Sequence, residues 1–127
     1  MDLIPEDDRN LYTCPEQPLH MSVAMDKFNY RMPYPTFFGG VSAMSVKHFN
    51  FINGFSNQFW GWGGEDDDMA ARLKMNDLEV TRLSPEIARY TMFKHERDEG
   101  NEDNPDRKRL LQISATFQRT DGLENLK

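Results

Sequence analysis

Apolar and polar positions along the 127 residues follow two periods. His20 to Asp26 (HMSVAMD) alternates small and apolar residues and predicts a strand. Phe37 to Met44 (FFGGVSAM) is apolar around a glycine pair and predicts a loop leading into a strand. Ser45 stands where a side chain caps a helix carrying Val46, Phe49 and Ile52, and Gly54 is placed to close it. A second helix begins in the acidic run at 65–68 and carries Met69, Ala70, Leu73 and Lys74. Leu78 to Leu83 and Arg89 to Lys94 predict further strands. Asn104-Pro105 opens a third helix, with Leu110, Leu111, Ser114 and Phe117 at helical spacing. Residues 5–20, rich in proline and charge, the two-proline stretch 30–35, and the polar run Glu96 to Asp106 predict loops. Helices alternating with strands give an α/β class in one modest domain. Asp121 to Lys127 carries no finished element, so the pattern predicts a domain truncated at both ends.

Composition narrows the functions open to the chain. A hydrophobic fraction of 38% and an aromatic fraction of 12% support a packed core and exclude a disordered segment. The net charge of -6 and pI near 5.0 exclude nucleic acid as the main partner, because phosphate binding needs a basic face. The single cysteine, Cys14, reads on composition as a free buried thiol. No apolar run approaches 18 residues, no signal peptide is visible at the acidic N-terminus, and no Asn-x-Ser/Thr acceptor occurs.

The candidate chemistry concentrates in Trp60-Gly61-Trp62-Gly63-Gly64-Glu65-Asp66-Asp67-Asp68. Glycines allow close backbone approach to a ligand. A tryptophan packs against the apolar face of a sugar ring and keeps an N–H to donate. Carboxylates accept hydrogen bonds from sugar hydroxyls, and one of them can serve as a general base. The same acids also suit the first turn of a helix, where the dipole favours negative charge. A sugar site and an acidic helix start are both open on these residues alone; an EF-hand is not, because its ligands alternate and these are contiguous. Met92 and His95 are weak metal candidates by themselves, and a lone Asp2 reads as a solvated acid.

Taken together, Asp2-Leu3-Ile4-Pro5, His20 to Phe28 (HMSVAMDKF), Phe38 to Ala43 (FGGVSA), Ile52 to Phe55 (INGF) and Phe59 to Asp68 (FWGWGGEDDD) resemble the β1,4-galactosyltransferase family. His95, Arg97-Asp98, Asn101-Glu102, Asn104-Pro105, Arg107 and Asp121-Gly122-Leu123 continue the resemblance in one register over almost the whole chain. It implies the C-terminal part of a GT-A-like fold: residues 1–127 as an incomplete catalytic region, without the Rossmann-type nucleotide-binding half and inactive alone. The implied reaction is an inverting transfer of galactose from UDP-galactose to the 4-hydroxyl of a terminal N-acetylglucosamine. Within it Asp66 would be the catalytic base. Gly64, Glu65, Asp66, Asp67 and Arg107 would hold the acceptor. Phe37, Gly40, Trp62, His95 and Asp98 would face the donor. Asp2, Met92 and His95 would bind a divalent ion, in this family Mn²⁺. The stretch from His95 to about Ser114 would be the loop that closes over the donor, and Cys14 would be half of a disulfide.

Phe37 stands where the best-known vertebrate members have tyrosine; it keeps the bulk and loses the hydroxyl, which favours galactose over N-acetylgalactosamine. Lys108 and Leu111 fall where the lactose-synthase member has an apolar patch, and a lysine there argues against an α-lactalbumin partner. The resemblance also implies residence in the Golgi lumen as a single-pass type II membrane protein whose anchor is not in this chain. The alternatives are an N-acetylgalactosamine-using β1,4-transferase and a non-catalytic acceptor-binding fragment.

Overall fold

A computed structural model of the chain describes residues 2–94 and 99–126. Its strands are short: β1 (Leu3–Pro5), β2 (Leu19–His20), β3 (Ala24–Met25), β4 (Ser42–Ala43), β5 (Thr81–Arg82) and β6 (Arg89–Met92). Three helices accompany them: α1 (Val46–Phe51), α2 (Glu65–Met75) and α3 (Arg107–Phe117). The strands form two three-stranded sheets. In one, β6 is central, antiparallel to β1 (Leu3 opposite Met92) and parallel to β3 (Met25 opposite Tyr90). In the other, β2 is central, antiparallel to β4 (His20 opposite Ser42) and parallel to β5 (His20 opposite Arg82).

The single strand expected over 20–26 is therefore two strands in different sheets. The amides of Met21 and Ser22 both donate to the Val41 carbonyl, at 2.9 and 3.3 Å, and this doubled contact breaks the ladder between β2 and β3. The strand expected over 78–83 shrinks to two residues. Leu78 N donates to Leu73 O at 3.0 Å, so Leu78 still belongs to the turn that ends α2.

Helix starts agree with local chemistry. The Ser45 hydroxyl accepts from His48 N at 3.1 Å, capping α1 as expected. The exit from α1 uses positive φ at Asn53 and Gly54 (63° and 66°), and Gly54 N returns to Phe49 O at 2.9 Å. The third helix starts at Arg107 rather than at Asn104; the Asn104 side chain instead accepts from Asp106 N at 2.9 Å, a turn that leads into α3.

Two apolar clusters hold the elements together. Met21, Met25, Phe37 and Tyr90 pack beneath the first sheet, and Phe38, Ile52, Met69 and Leu73 pack between α1 and α2. Neighbours Phe37 and Phe38 thus serve one cluster each, as extended backbone sends successive side chains to opposite sides. The Gly39-Gly40 pair follows at this seam.

Where no element was expected after Asp121, Leu123–Asn125 forms a 3-10 turn; Asp121 and Gly122 are buried, and Leu123 N donates to Asn53 O at 2.9 Å. One expectation is corrected here. Cys14 is exposed, not buried; it lies in the irregular segment before β2, which has no apolar cover there.

Candidate functional site

The acidic run divides into two roles. Gly64 precedes α2 with φ of 99°, and a Cβ there would lie 2.9 Å from the Phe59 ring and 3.1 Å from Arg107 Cβ. Only glycine fits both the backbone and the space. Glu65 is exposed, Asp66 and Asp67 are half-buried, and Asp68 is buried. The Asp68 carboxylate pairs with Arg72 Nε at 2.8 Å and accepts from the Ser114 hydroxyl of α3. Arg72 Nη1 donates to Asp121 O at 2.7 Å, and its Nη2 reaches Asp121 Oδ2 at 3.2 Å. Asp121 also accepts from the Ser56 hydroxyl at 2.5 Å and from Asn57 N at 3.1 Å. This buried network ties α2, α3, the C-terminal segment and the 53–57 loop together. Asp68 is a structural anchor, and three acids remain for chemistry.

Asp66 lies against the Gly39 wall. A Cβ on Gly39 would meet Asp66 Oδ2 at 2.2 Å and the Phe37 ring at 2.8 Å, so the absence of a side chain there is what admits the carboxylate. Burial raises the Asp66 pKa above the usual aspartate value, and the charges of Asp67 and Glu65 push it the same way. A raised pKa suits Asp66 to accept a proton. Asp67 accepts from the Tyr34 hydroxyl at 2.8 Å, and Tyr34 stacks edge-on against Phe37 with ring centroids 5.3 Å apart. Burial and that bond to Asp67 raise the Tyr34 pKa and keep the phenol protonated.

The tryptophan segment is fastened to the loop that leads into α3. Trp62 N donates to Glu102 O at 2.7 Å, Asn104 N donates to Trp62 O at 2.9 Å, and the Arg107 guanidinium lies 5.7 Å from the Trp62 ring centroid. Gly61, at φ of 78°, leaves no room for a Cβ, which would sit 2.6 Å from Glu102 O. Trp60 and Trp62 are both exposed, at 79% and 51%. An open surface of indole, carboxylates, a phenol and a guanidinium suits a flat polyhydroxylated ligand better than an apolar one. A separate pocket lies at the far end of α2, between Ile52, Met75, Gln118 and Glu124, and contains none of these groups.

Of the other expected donor residues, Phe37 is buried, packed edge-on against His20, Phe28 and Tyr34. Gly40 is exposed at φ of 87° beside Ser22. His95 and Asp98 lie outside the described residues. Two expected metal ligands lie near one end of the first sheet: Phe93 N donates to Asp2 O at 2.7 Å, and Leu3, not Asp2, stands opposite Met92. Among the described residues no group of three His, Cys, Asp or Glu could hold a metal. The expected set of a carboxylate, a thioether and an imidazole would suit a transition ion better than magnesium by its donor types.

Tyr34 and Arg82 stand outside the motifs quoted above, and His20 and Ser22 lie within HMSVAMDKF without a site role of their own. The proline on each side of Tyr34 was the one available signal that this aromatic is held on a fixed loop.

A family model described as the N-terminal domain of galactosyltransferase matches residues 19–96. The chain is 48% identical to β-1,4-galactosyltransferase 2 of Cricetulus griseus over 127 residues, 100% of this chain and 34% of that protein. It is 47% identical to β-1,4-galactosyltransferase 4 of the same organism over 125 residues, 98% of this chain and 36% of that protein. Among solved structures it is similar to a Drosophila β1,4-galactosyltransferase 7 mutant in complex with manganese, UDP-Gal and xylobiose. That match has a TM-score of 0.69 at 29% identity, covering 99% of this chain and 54% of the other.

Proposed function

The chain belongs to the galactosyltransferase family, and on that premise we propose that it carries the acceptor-binding, base-bearing part of an inverting β1,4-galactosyltransferase. The chain spans about a third of the length of the curated relatives it matches, and the activity belongs to the whole protein. The observation that carries the reading is Asp66: a half-buried carboxylate with a raised pKa, one residue from an acid held by a tyrosine, on the helix that follows the exposed tryptophans.

In the proposed reaction the acceptor is a terminal N-acetylglucosamine, and Trp62 faces the donor sugar. Glu65, Asp67 and Arg107 hold its hydroxyls, with the Gly64 backbone close by. Asp66 takes the proton of the 4-hydroxyl as that oxygen bonds to the anomeric carbon of galactose. The bond from that carbon to UDP breaks on the opposite side, and UDP leaves with the electron pair. One base and one displacement give inversion without a covalent enzyme intermediate. Asp2, Met92 and His95 would hold a manganese-type ion, which would supply charge neutralisation for the leaving diphosphate. Residence in the Golgi lumen and a membrane anchor outside these residues belong to the same proposal; no described helix is long and apolar enough to cross a membrane.

The test is sugar transfer by the full-length protein to N-acetylglucosamine, with UDP-galactose and UDP-N-acetylgalactosamine compared in the presence of Mn²⁺. Galactose transfer is expected. Transfer of N-acetylgalactosamine alone would overturn the donor assignment made on Phe37, and no transfer from either by a folded protein would leave a sugar-binding module without catalysis.

A further inference from the structure

His20 and Arg82 are both outside the set of residues assigned to substrate. They sit opposite one another in the register of β2 and β5. The His20 ring is fully buried, between Phe37 and Phe38. Its Nε2–H donates to Gly39 O at 3.0 Å, and its Nδ1 accepts from Arg82 Nε at 3.4 Å. Arg82 Nη2 donates to Phe37 O at 2.9 Å and to Pro35 O at 3.2 Å. Ser22 completes the hold: its hydroxyl donates to Gly39 O at 3.1 Å and accepts from Val41 N at 2.8 Å. Three carbonyls of one irregular segment, at 35, 37 and 39, are therefore fixed by a single pair of side chains. That segment is the wall whose Gly39 lies against Asp66.

We infer that His20 and Arg82 are positioning residues for the transfer reaction, setting the Pro35–Gly40 wall at the distance that holds the Asp66 carboxylate in place. The inference rests on the reading of Asp66 as base. The geometry requires a neutral imidazole, because one ring nitrogen donates while the other accepts. Burial, with the Arg82 charge acting in the same direction, brings the His20 pKa down to about 4, so that form persists at neutral pH. Neither residue touches a reacting atom. Their effect passes through the wall, and a misplacement of order 1 Å at a reacting group costs ~10²-fold in rate.

The experiment uses the full-length protein with Arg82→Met, His20→Leu and His20→Gln. Arg82 is only partly buried on a two-residue strand, so Arg82→Met is the variant expected to fold. Hydrogen exchange is read over residues 35–41 and over α2, and kcat and KM are read for each substrate. Arg82→Met is expected to lose protection over 35–41 while α2 keeps it, and to lower kcat by about 10- to 10²-fold with acceptor KM little changed. His20→Gln, whose amide both donates and accepts, is expected to recover most of the kcat that His20→Leu loses. Unchanged exchange over 35–41 in Arg82→Met would overturn the mechanical link. Lost protection with wild-type kcat would overturn the catalytic role, and global unfolding of both Arg82→Met and His20→Gln would reduce the pair to fold maintenance. An inactive wild-type protein with selective loss of protection would instead sink the base assignment and leave the mechanical link standing.

Discussion

Arg72→Met and Asp66→Asn alter residues six positions apart on one helix, and the structure gives them opposite consequences. Arg72 and Asp68 are fully excluded from solvent, and Asp121 is nearly so. Replacing the guanidinium by an uncharged, shorter thioether removes the 2.8 Å bond to Asp68, the 2.7 Å bond to Asp121 O and the 3.2 Å contact to Asp121 Oδ2. Two buried carboxylates then face each other's surroundings without a cation. Asp68 keeps the Ser114 hydroxyl, and Asp121 keeps Ser56 and Asn57, which limits the damage. Breaking a buried pair in this way costs about 3–5 kcal/mol. Asp66→Asn removes a charge whose pKa is raised by burial and by two acidic neighbours, so stability at neutral pH is expected to hold or rise slightly. Turnover, in contrast, should fall by ~10²–10⁴-fold with the base gone. Urea unfolding of the full-length variants reads the first quantity, provided the slope with denaturant is unchanged, and initial transfer rates read the second. A loss below about 1 kcal/mol in Arg72→Met would refute the anchor role, because surface pairs are worth no more than that. Near-normal turnover in Asp66→Asn would refute the division of the acidic run.

Three further outcomes follow from the same geometry. His20 titrates near 4 in the fold and near 6.5 when unfolded, so the unfolded chain binds the extra proton first; its contribution is intact above about pH 6.5 and is lost as pH falls towards 4, by about 3 kcal/mol in all. Unfolding curves at several pH values should show this slope, and His20→Gln should flatten it. Gly39→Ala is expected to cut kcat sharply, since its Cβ would fall 2.2 Å from Asp66 Oδ2; full activity in a purified, folded variant would mean that the wall yields freely. Removing divalent ions with a chelator should abolish transfer, and Met92→Leu should raise the Mn²⁺ concentration needed for half-maximal rate; an unchanged titration would remove Met92 from the ligand set.

Much of the helical layout is legible from local signals. Ser45, Gly54 and the acids at 65–68 mark termini through chemistry that involves only a few neighbouring residues, and the structure follows them closely. Strand pairing is not local. Nothing in His20 to Asp26 announces that Ser22 will spend its hydroxyl on Gly39 and Val41 and split one apolar stretch between two sheets. The start of α3 moves for a similar reason, because the Asn104 side chain makes a turn where a first helical turn was expected. For the site, the contiguous motif was visible as a whole but its internal division was not. Whether an acid in such a run faces solvent or an arginine depends on where Ser114 and Asp121 arrive, 46 residues from Asp68 and 49 from Arg72 respectively.

The two apolar clusters explain why the site is built at this seam. Phe37 draws the 35–40 segment towards the first sheet, while Phe38 holds it against α1 and α2. The segment cannot drift from Asp66 without uncovering one ring or the other, and each buried aromatic is worth about 2–3 kcal/mol. Carbonyls at 35, 37 and 39 left without ladder partners by this route are then met by Arg82 and His20. On the other side, the Asp68–Arg72–Asp121 network locks the first turn of α2 to α3, so the glycine-rich turn before Glu65 sets where the remaining acids point. A glycine at 39, a glycine at 64 and a buried ion pair one turn into α2 thus define the position of Asp66 from three directions. A carboxylate placed in this way keeps its raised pKa because the wall beside it keeps it buried, and loosening that wall would return Asp66 towards an ordinary solvated aspartate.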